Sequence, residues 1–257
     1  MITASRLSQE INSYQAKLQE KPGTAAALNQ RNSSLLEIDR LFVCVQEGAN
    51  AVSILENFGL YFPDTVIRSE AEGTKSRICF LENLYLAIIW LEDKPPSSQT
   101  AINFPARVNW QDNHTSPFGI GLSRRQEPDV TTLDSCPISD LRVDKYLAYS
   151  QKNQQNAIEP LVFFIPDRLK YASILSCKQQ TSQKYLSHPL GVRNITDIKM
   201  SVQTGKRRNS NVLDWLQQEK LLKIARTDAP LLEITFDGGV RGEIFDARPT
   251  LPIIFRY

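Results

Sequence analysis

The sequence predicts an α+β fold: a helical amino-terminal part packed on a mixed or antiparallel sheet formed mainly by the second half of the chain. Three observations carry this. Apolar residues recur at helical spacing through much of the first ninety positions. Short runs rich in β-branched and aromatic residues, bounded by proline or glycine, gather after position 160. Helices and strands do not alternate in the regular way that builds a parallel sheet.

Residues 5–19 place Leu7, Ile11, Tyr14 and Leu18 on one stripe of a polar helix, which Pro22-Gly23 stops. A second apolar run starts near Thr24, strengthens at Leu35, Leu36, Ile38, Leu41 and Phe42, and continues through Val45, Val52, Leu55 and Phe58. Its length predicts one buried helix or two, divided at Gly48 and ended by Gly59 as a left-handed cap, although Val43-Cys44-Val45 also suits a strand. Residues 78–91 fit either a buried helix or two strands that turn at Glu82-Asn83. The polar stretch around Pro95-Pro96 can continue neither element. It divides a mainly helical region, 1–94, from a loop-rich α+β region, 101–257.

Between 101 and 139, Pro105, Pro117, Pro128 and Pro137 recur with Gly119 and Gly121, and the expectation is loops with short strands at most. Residues 139–154 read as a helix carrying Leu141, Tyr146 and Tyr149. Residues 161–165, framed by Pro160 and Pro166, read as a buried strand, after which Asp167 caps a helix through Leu169, Ala172 and Leu175. Ile198, Met200 and Val202 alternate with Lys199 and Ser201, as in a half-exposed strand. Ser210 or Asn211 caps a helix bearing Val212, Leu213, Trp215 and Leu216. Leu231 to Phe236, the turn Asp237-Gly238-Gly239 and Val240 to Phe245 suggest a hairpin, with Pro252 to Tyr257 as a third strand.

Composition narrows the function classes. With 41% hydrophobic and 23% charged residues the chain matches an ordinary globular protein, and its net charge of +2 argues for neither nucleic acid nor membrane by itself. Cys44, Cys79, Cys136 and Cys177 form no CxxC pair and no zinc spacing, so buried free thiols are expected, with no metal or cofactor. The amino terminus lacks the basic segment and apolar run of a secretory signal. No apolar run approaches the roughly twenty residues that span a bilayer. A cytoplasmic protein making no membrane contact is expected.

Chemistry-bearing motifs are sparse. Pro166-Asp167 followed by Ser176-Cys177-Lys178 loosely resembles the PD-(D/E)xK nuclease pattern, with serine in the second acidic position. That pattern implies a metal-dependent nuclease using Asp167 and Lys178, on adjacent strands, to hold a divalent ion and stabilise developing charge. Gly119-Ile120-Gly121 lacks the third glycine of a phosphate loop and reads as a surface turn. His114 and His188 both look like loop residues, and no G-x-S-x-G elbow exposes a nucleophile.

The basic segment Lys206-Arg207-Arg208 is the stronger signal. Residues 201–230 carry six positive and three negative side chains, a local excess of three. Such a patch suits phosphate contact, which is sequence-independent and salt-sensitive. The sequence therefore points to a non-enzymatic structural or interaction subunit of a larger intracellular assembly, either a virion component or part of a nucleic-acid-processing complex. Its partners would be proteins of that assembly, and nucleic acid through Lys206, Arg207 and Arg208.

Overall fold

The computed structural model describes residues 36–93, 102–125, 141–144, 147–166, 169–171, 183–203 and 211–257. The helix expected at 5–19 and the Pro95-Pro96 break lie outside them. Among the described residues two mixed sheets dominate, helices are few, and no helical amino-terminal part packs on a late-formed sheet. The expected α+β arrangement is overturned at its first described element.

That element is β1 (Leu36–Cys44), a strand where the length of the apolar run had favoured a helix. Both faces of β1 are covered: Leu41 and Val43 pack in one buried cluster, Phe42 and Cys44 in another. A strand buried on both faces loses the alternation that marks strands and merges with neighbouring apolar sequence. The helix that does form, α1 (Gly48–Phe58), buries Ala51, Val52 and Leu55. It ends at Gly59, whose φ of 102° lets its N–H reach the Glu56 carbonyl while Leu60 N–H reaches Leu55. The left-handed glycine cap read from the sequence is present.

From α1 the chain runs through β2 (Ile67–Ser69), β3 (Thr74–Phe80) and β4 (Tyr85–Leu91). Residues 78–91 thus take the two-strand alternative, turning where Leu81 N–H bonds the Leu84 carbonyl. Strand β4 returns parallel to β1, which α1 makes feasible by supplying the crossover. After α2 (Phe104–Val108) and α3 (Trp110–Asn113), β5 (Phe118–Arg124) pairs antiparallel with the other edge of β1. Strands on either side of residues 94–101 therefore share one sheet.

Residues 141–155 are not the single helix expected. They give β6 (Leu141–Asp144), β7 (Leu147–Ser150) and only the short α4 (Gln151–Gln155), because the edge of β8 (Leu161–Phe164) pairs with β7 and overrides weak helical periodicity. The order β2-β3-β4-β1-β5-β8-β7-β6 contains one pattern twice. In each half the first strand is central and parallel to the fourth, and the third and second lie successively outward. The two first strands, β1 and β5, meet antiparallel at the centre.

The second sheet has the order β10-β9-β11-β13-β12. Strand β9 (Ile195–Gln203) crosses through α5 (Asn211–Gln218) to the parallel β10 (Lys223–Thr227). The expected hairpin does not form. Strand β11 (Leu231–Phe236) lies between β9 and β13 (Ile253–Arg256), while β12 (Ile244–Asp246) pairs with the far side of β13. Instead of closing a hairpin, Asp237 anchors a 3-10 turn, its carboxylate accepting the N–H groups of Arg193 and Asn194, each at 2.9 Å.

One core joins the sheets. It takes Leu41, Val43, Phe118 and Ile120 from the first, Met200, Ile234 and Phe255 from the second, and Val52, Leu55, Leu213 and Leu216 from the helices. Phe58 at the end of α1 stacks on Phe245 with ring centroids 4.2 Å apart, tying that helix to the carboxyl-terminal strands. A second core covers the opposite face of the first sheet, where Phe42, Cys44, Tyr85 and Phe163 meet Ile102, Phe104, Val108 and Tyr171. Among the described residues no helix is long and apolar enough to cross a membrane.

Candidate nucleic-acid interface

The basic residues Lys206, Arg207 and Arg208 lie outside the described residues, as do Asp167 and Lys178. The ends that flank the basic segment are described. Strand β9 buries Ile198, Met200 and Val202 and stops at Gln203, and α5 begins at Asn211. Helix α5 turns Val212, Leu213, Trp215 and Leu216 into the core, so Trp215 is a packing residue. Beyond the helix end at Gln218, Lys220 takes φ 56° as Leu221 N–H bonds the Leu216 carbonyl. Because β10 pairs with β9 in the register Thr227 to Gln203, the 204–210 connection leaves from the edge where both parallel strands end. Carboxyl ends of parallel strands are recurrent ligand positions.

A cleft of about 590 Å³ opens at that edge. Trp110 and His114 line one part of it, Gln203 and Asp228 another, and Arg248 and Pro252 a third. Sequence reasoning missed Trp110 because it took residues 101–139 as loop. A signal was available there: Asn103 accepts the Ala106 N–H at 3.0 Å as an N-cap, and Pro105 stands in the first turn of α2.

The 104–116 segment is a firm base for Trp110 and His114. Phe104 and Val108 are buried in the second core. Arg107, buried with them, donates from Nη1 to the carbonyls of Ser116 (2.6 Å) and Glu159 (3.1 Å). Burial depresses its pKa, and those two carbonyls replace part of the lost hydration. Thr115 Oγ1 donates to the Ala106 carbonyl at 2.6 Å. His114 follows in the left-handed conformation with φ 59°, exposed, its Nδ1 3.4 Å from the Gln203 amide nitrogen. Gln203 also donates to the Asp228 carbonyl at 2.8 Å, joining the two walls.

Arg248 is held by Asp246. Its Nε lies 2.8 and 3.1 Å from the two carboxylate oxygens and its Nη2 2.5 Å from Oδ2. This bidentate pairing keeps the Asp246 carboxyl below its ordinary pKa and raises that of Arg248. The guanidinium plane is therefore oriented, and its charge is balanced.

The remaining sequence candidates have structural roles. Gly119-Ile120-Gly121 is no surface turn but the middle of β5. Phe42 lies over Gly119 and the Arg40 side chain over Gly121, where a Cβ would approach within 2.0 and 2.5 Å. His188 is buried: Tyr61 N–H donates to Nδ1 at 2.9 Å, leaving Nε2–H to donate to the Phe80 carbonyl at 2.9 Å. Both ring nitrogens are occupied by backbone, and burial lowers the ring's pKa. Cys44 and Cys79 are buried free thiols, as expected, and Cys136 and Cys177 lie outside the described residues. A second cleft, of about 600 Å³, lies between the sheets, with ion pairs Glu37–Arg125 and Asp197–Lys223 in its walls.

Fold and cleft define a strand-rich, two-sheet protein with a cleft, lined by Trp110 and His114 among others, at the carboxyl ends of β9 and β10. No family model and no curated protein matches the chain. Among solved structures it is similar to a hypothetical protein from Staphylococcus aureus, at 15% identity and a TM-score of 0.51, covering 87% of this chain and 98% of that one. A likeness at that identity shows a shared fold and nothing of activity or ligand.

Proposed function

We propose that this chain is a non-enzymatic interaction subunit of a larger intracellular assembly, a virion component or part of a nucleic-acid-processing complex, that contacts nucleic acid through Lys206, Arg207 and Arg208. One observation carries the reading: the basic segment starts three residues after Gln203 in the sequence, and Gln203 lines a cleft shared with Trp110, His114 and Arg248. Cationic sequence beside aromatic surface is the combination that nucleic-acid grooves use, charge for the backbone and π-faces for the bases.

The test is fluorescence anisotropy with a labelled single-stranded 20-mer across a salt series, for wild type and the triple variant Lys206→Ala/Arg207→Ala/Arg208→Ala. Each phosphate contact on a single strand contributes about 0.7 to the slope of log affinity against log salt. Three lost contacts should flatten it by about 2. An unchanged slope and affinity would sink the assignment of these residues. For the assembly itself, light scattering after size exclusion should show complexes with native partners. A strict monomer that retains none of them counts against the proposal.

A further inference from the structure

We infer that the cleft lined by Trp110, His114, Gln203, Arg248 and Pro252 takes an unpaired nucleobase, so that the protein selects single-stranded over duplex nucleic acid. This rests on the nucleic-acid reading above and adds what that reading lacks, a means of discriminating between strands.

Two planar π-systems border the cleft. Trp110 is half-buried and belongs to neither core, so its indole serves no packing role comparable to that of Trp215. His114 is exposed and fixed in position by its left-handed backbone between α3 and the buried Thr115. Pro230, Pro249 and Pro252 also line the cleft. The indole and imidazole offer planar faces to a flat ligand, and the saturated proline rings add apolar surface beside the polar Gln203 and Asp228. At about 590 Å³ the cleft falls within the range that accepts a small-molecule-sized group, roughly 300–1,000 Å³. A base within a duplex has both faces covered by its neighbours and must be unstacked before it can enter such a site. A single strand presents its bases without that cost.

The electrostatics divide the labour. Arg248 is the described cation on the cleft wall, and Asp246 neutralises it through the bidentate pairing. It offers an oriented guanidinium plane for stacking and adds little net charge to attract phosphate. The charge that neutralises the backbone must then come from elsewhere, and under the proposed function it comes from Lys206, Arg207 and Arg208, which begin three residues after Gln203 in the sequence. Stacking in the cleft should be nearly insensitive to salt, and backbone contact strongly sensitive. The two contributions can therefore be measured separately.

The experiment compares a fluorescein-labelled dT20 single strand with a 20-base-pair duplex. Binding is followed by anisotropy, on the full chain, from low to physiological salt. Variants are Trp110→Ala, Trp110→Phe, His114→Ala and the triple loop variant, each with its melting temperature recorded. Wild type should bind the single strand in preference. Trp110→Ala should weaken that binding by about 5- to 150-fold, the range for loss of one stacked base, with the salt slope unchanged. Trp110→Phe should recover most of the loss, and duplex binding should not respond to either variant. His114 is exposed, so His114→Ala keeps the test valid should Trp110→Ala fold poorly. Loss of single-strand affinity in His114→Ala supports the cleft.

Equal affinity for duplex and single strand, or single-strand affinity within twofold of wild type in both Trp110→Ala and His114→Ala, overturns the inference. If the triple variant still flattens the salt slope in that case, the nucleic-acid reading survives and only the base site falls. If wild type binds neither probe, both fall together.

Discussion

Replacing Gly119 with alanine tests how β5 sits against β1. In an ordinary strand position this change is stabilising, by roughly 0.5–1 kcal/mol, because glycine loses more backbone freedom on folding. Here the new methyl would stand 2.0 Å from Phe42 Cε1 and 2.1 Å from Cζ, where carbon atoms need about 3.5 Å. The ring has little room to retreat. Phe42 is 6% exposed and sits between Phe104, at 6.0 Å between ring centroids, and Phe163, at 6.1 Å. Overpacking of this kind costs about 1–3 kcal/mol, and each disturbed ring pair about 0.5–1.5 kcal/mol more. Set against the backbone gain, the net loss should be about 2–4 kcal/mol. Urea unfolding followed by circular dichroism measures it. The cause is tested by a double-mutant cycle with Phe42→Ala, which alone should cost about 3–5 kcal/mol. If the ring is the obstacle, the double variant is more stable than the sum of the single losses allows, by 1 kcal/mol or more. A Gly119→Ala protein as stable as wild type, or strict additivity, would refute this account of the central strand pair.

His188 predicts a pH dependence. Its folded pKa lies below the unfolded value of about 6.5, so the native ring stays neutral where the unfolded chain already takes a proton. That stability is fully present above pH 6.5 and is lost as pH falls beneath it, at up to about 1.4 kcal/mol per unit until the native ring itself titrates. Unfolding free energies of wild type and His188→Gln between pH 5 and 8 check this. The acid-side slope should be shallower in the variant, and equal slopes contradict the buried neutral imidazole. The cysteines give another prediction. Burial pushes the Cys44 thiol up to about 12 and raises Cys79 as well, so neither offers thiolate at neutral pH. Iodoacetamide followed by peptide mass mapping should label both only in denaturant, and labelling of Cys44 in the native protein would contradict the second core.

Elements whose evidence is local were legible. Strand β8 is bounded by Pro160 and Pro166 and has one apolar run between them. The alternation of Ile198, Met200 and Val202 survives as buried positions of β9, and Gly59 caps α1 because only a residue tolerant of positive φ closes that turn easily. The candidate cleft itself was not legible in the sequence. Lys206-Arg207-Arg208 drew notice through charge, which composition reveals. Trp110 and Arg248 are far apart in sequence and line one cleft through the tertiary arrangement alone.

The sequence by itself determined the helix α5, the framed strand β8, the alternating strand β9 and the strand near the carboxyl terminus, β13. Tertiary structure decided the rest. Whether residues 36–44 are helix or strand depends on two cores that close over opposite faces of β1, and a segment apolar on every side carries no period from which to choose. The alternation of Phe118, Ile120 and Leu122 with glycine spelled out a strand bare on one face, yet the glycines themselves signal a turn. Only the Phe42 ring and the Arg40 side chain, arriving from a strand some eighty residues earlier, show what the bare face is for. Local propensity is written in neighbouring residues, whereas sheet order is set by which distant surfaces bury one another.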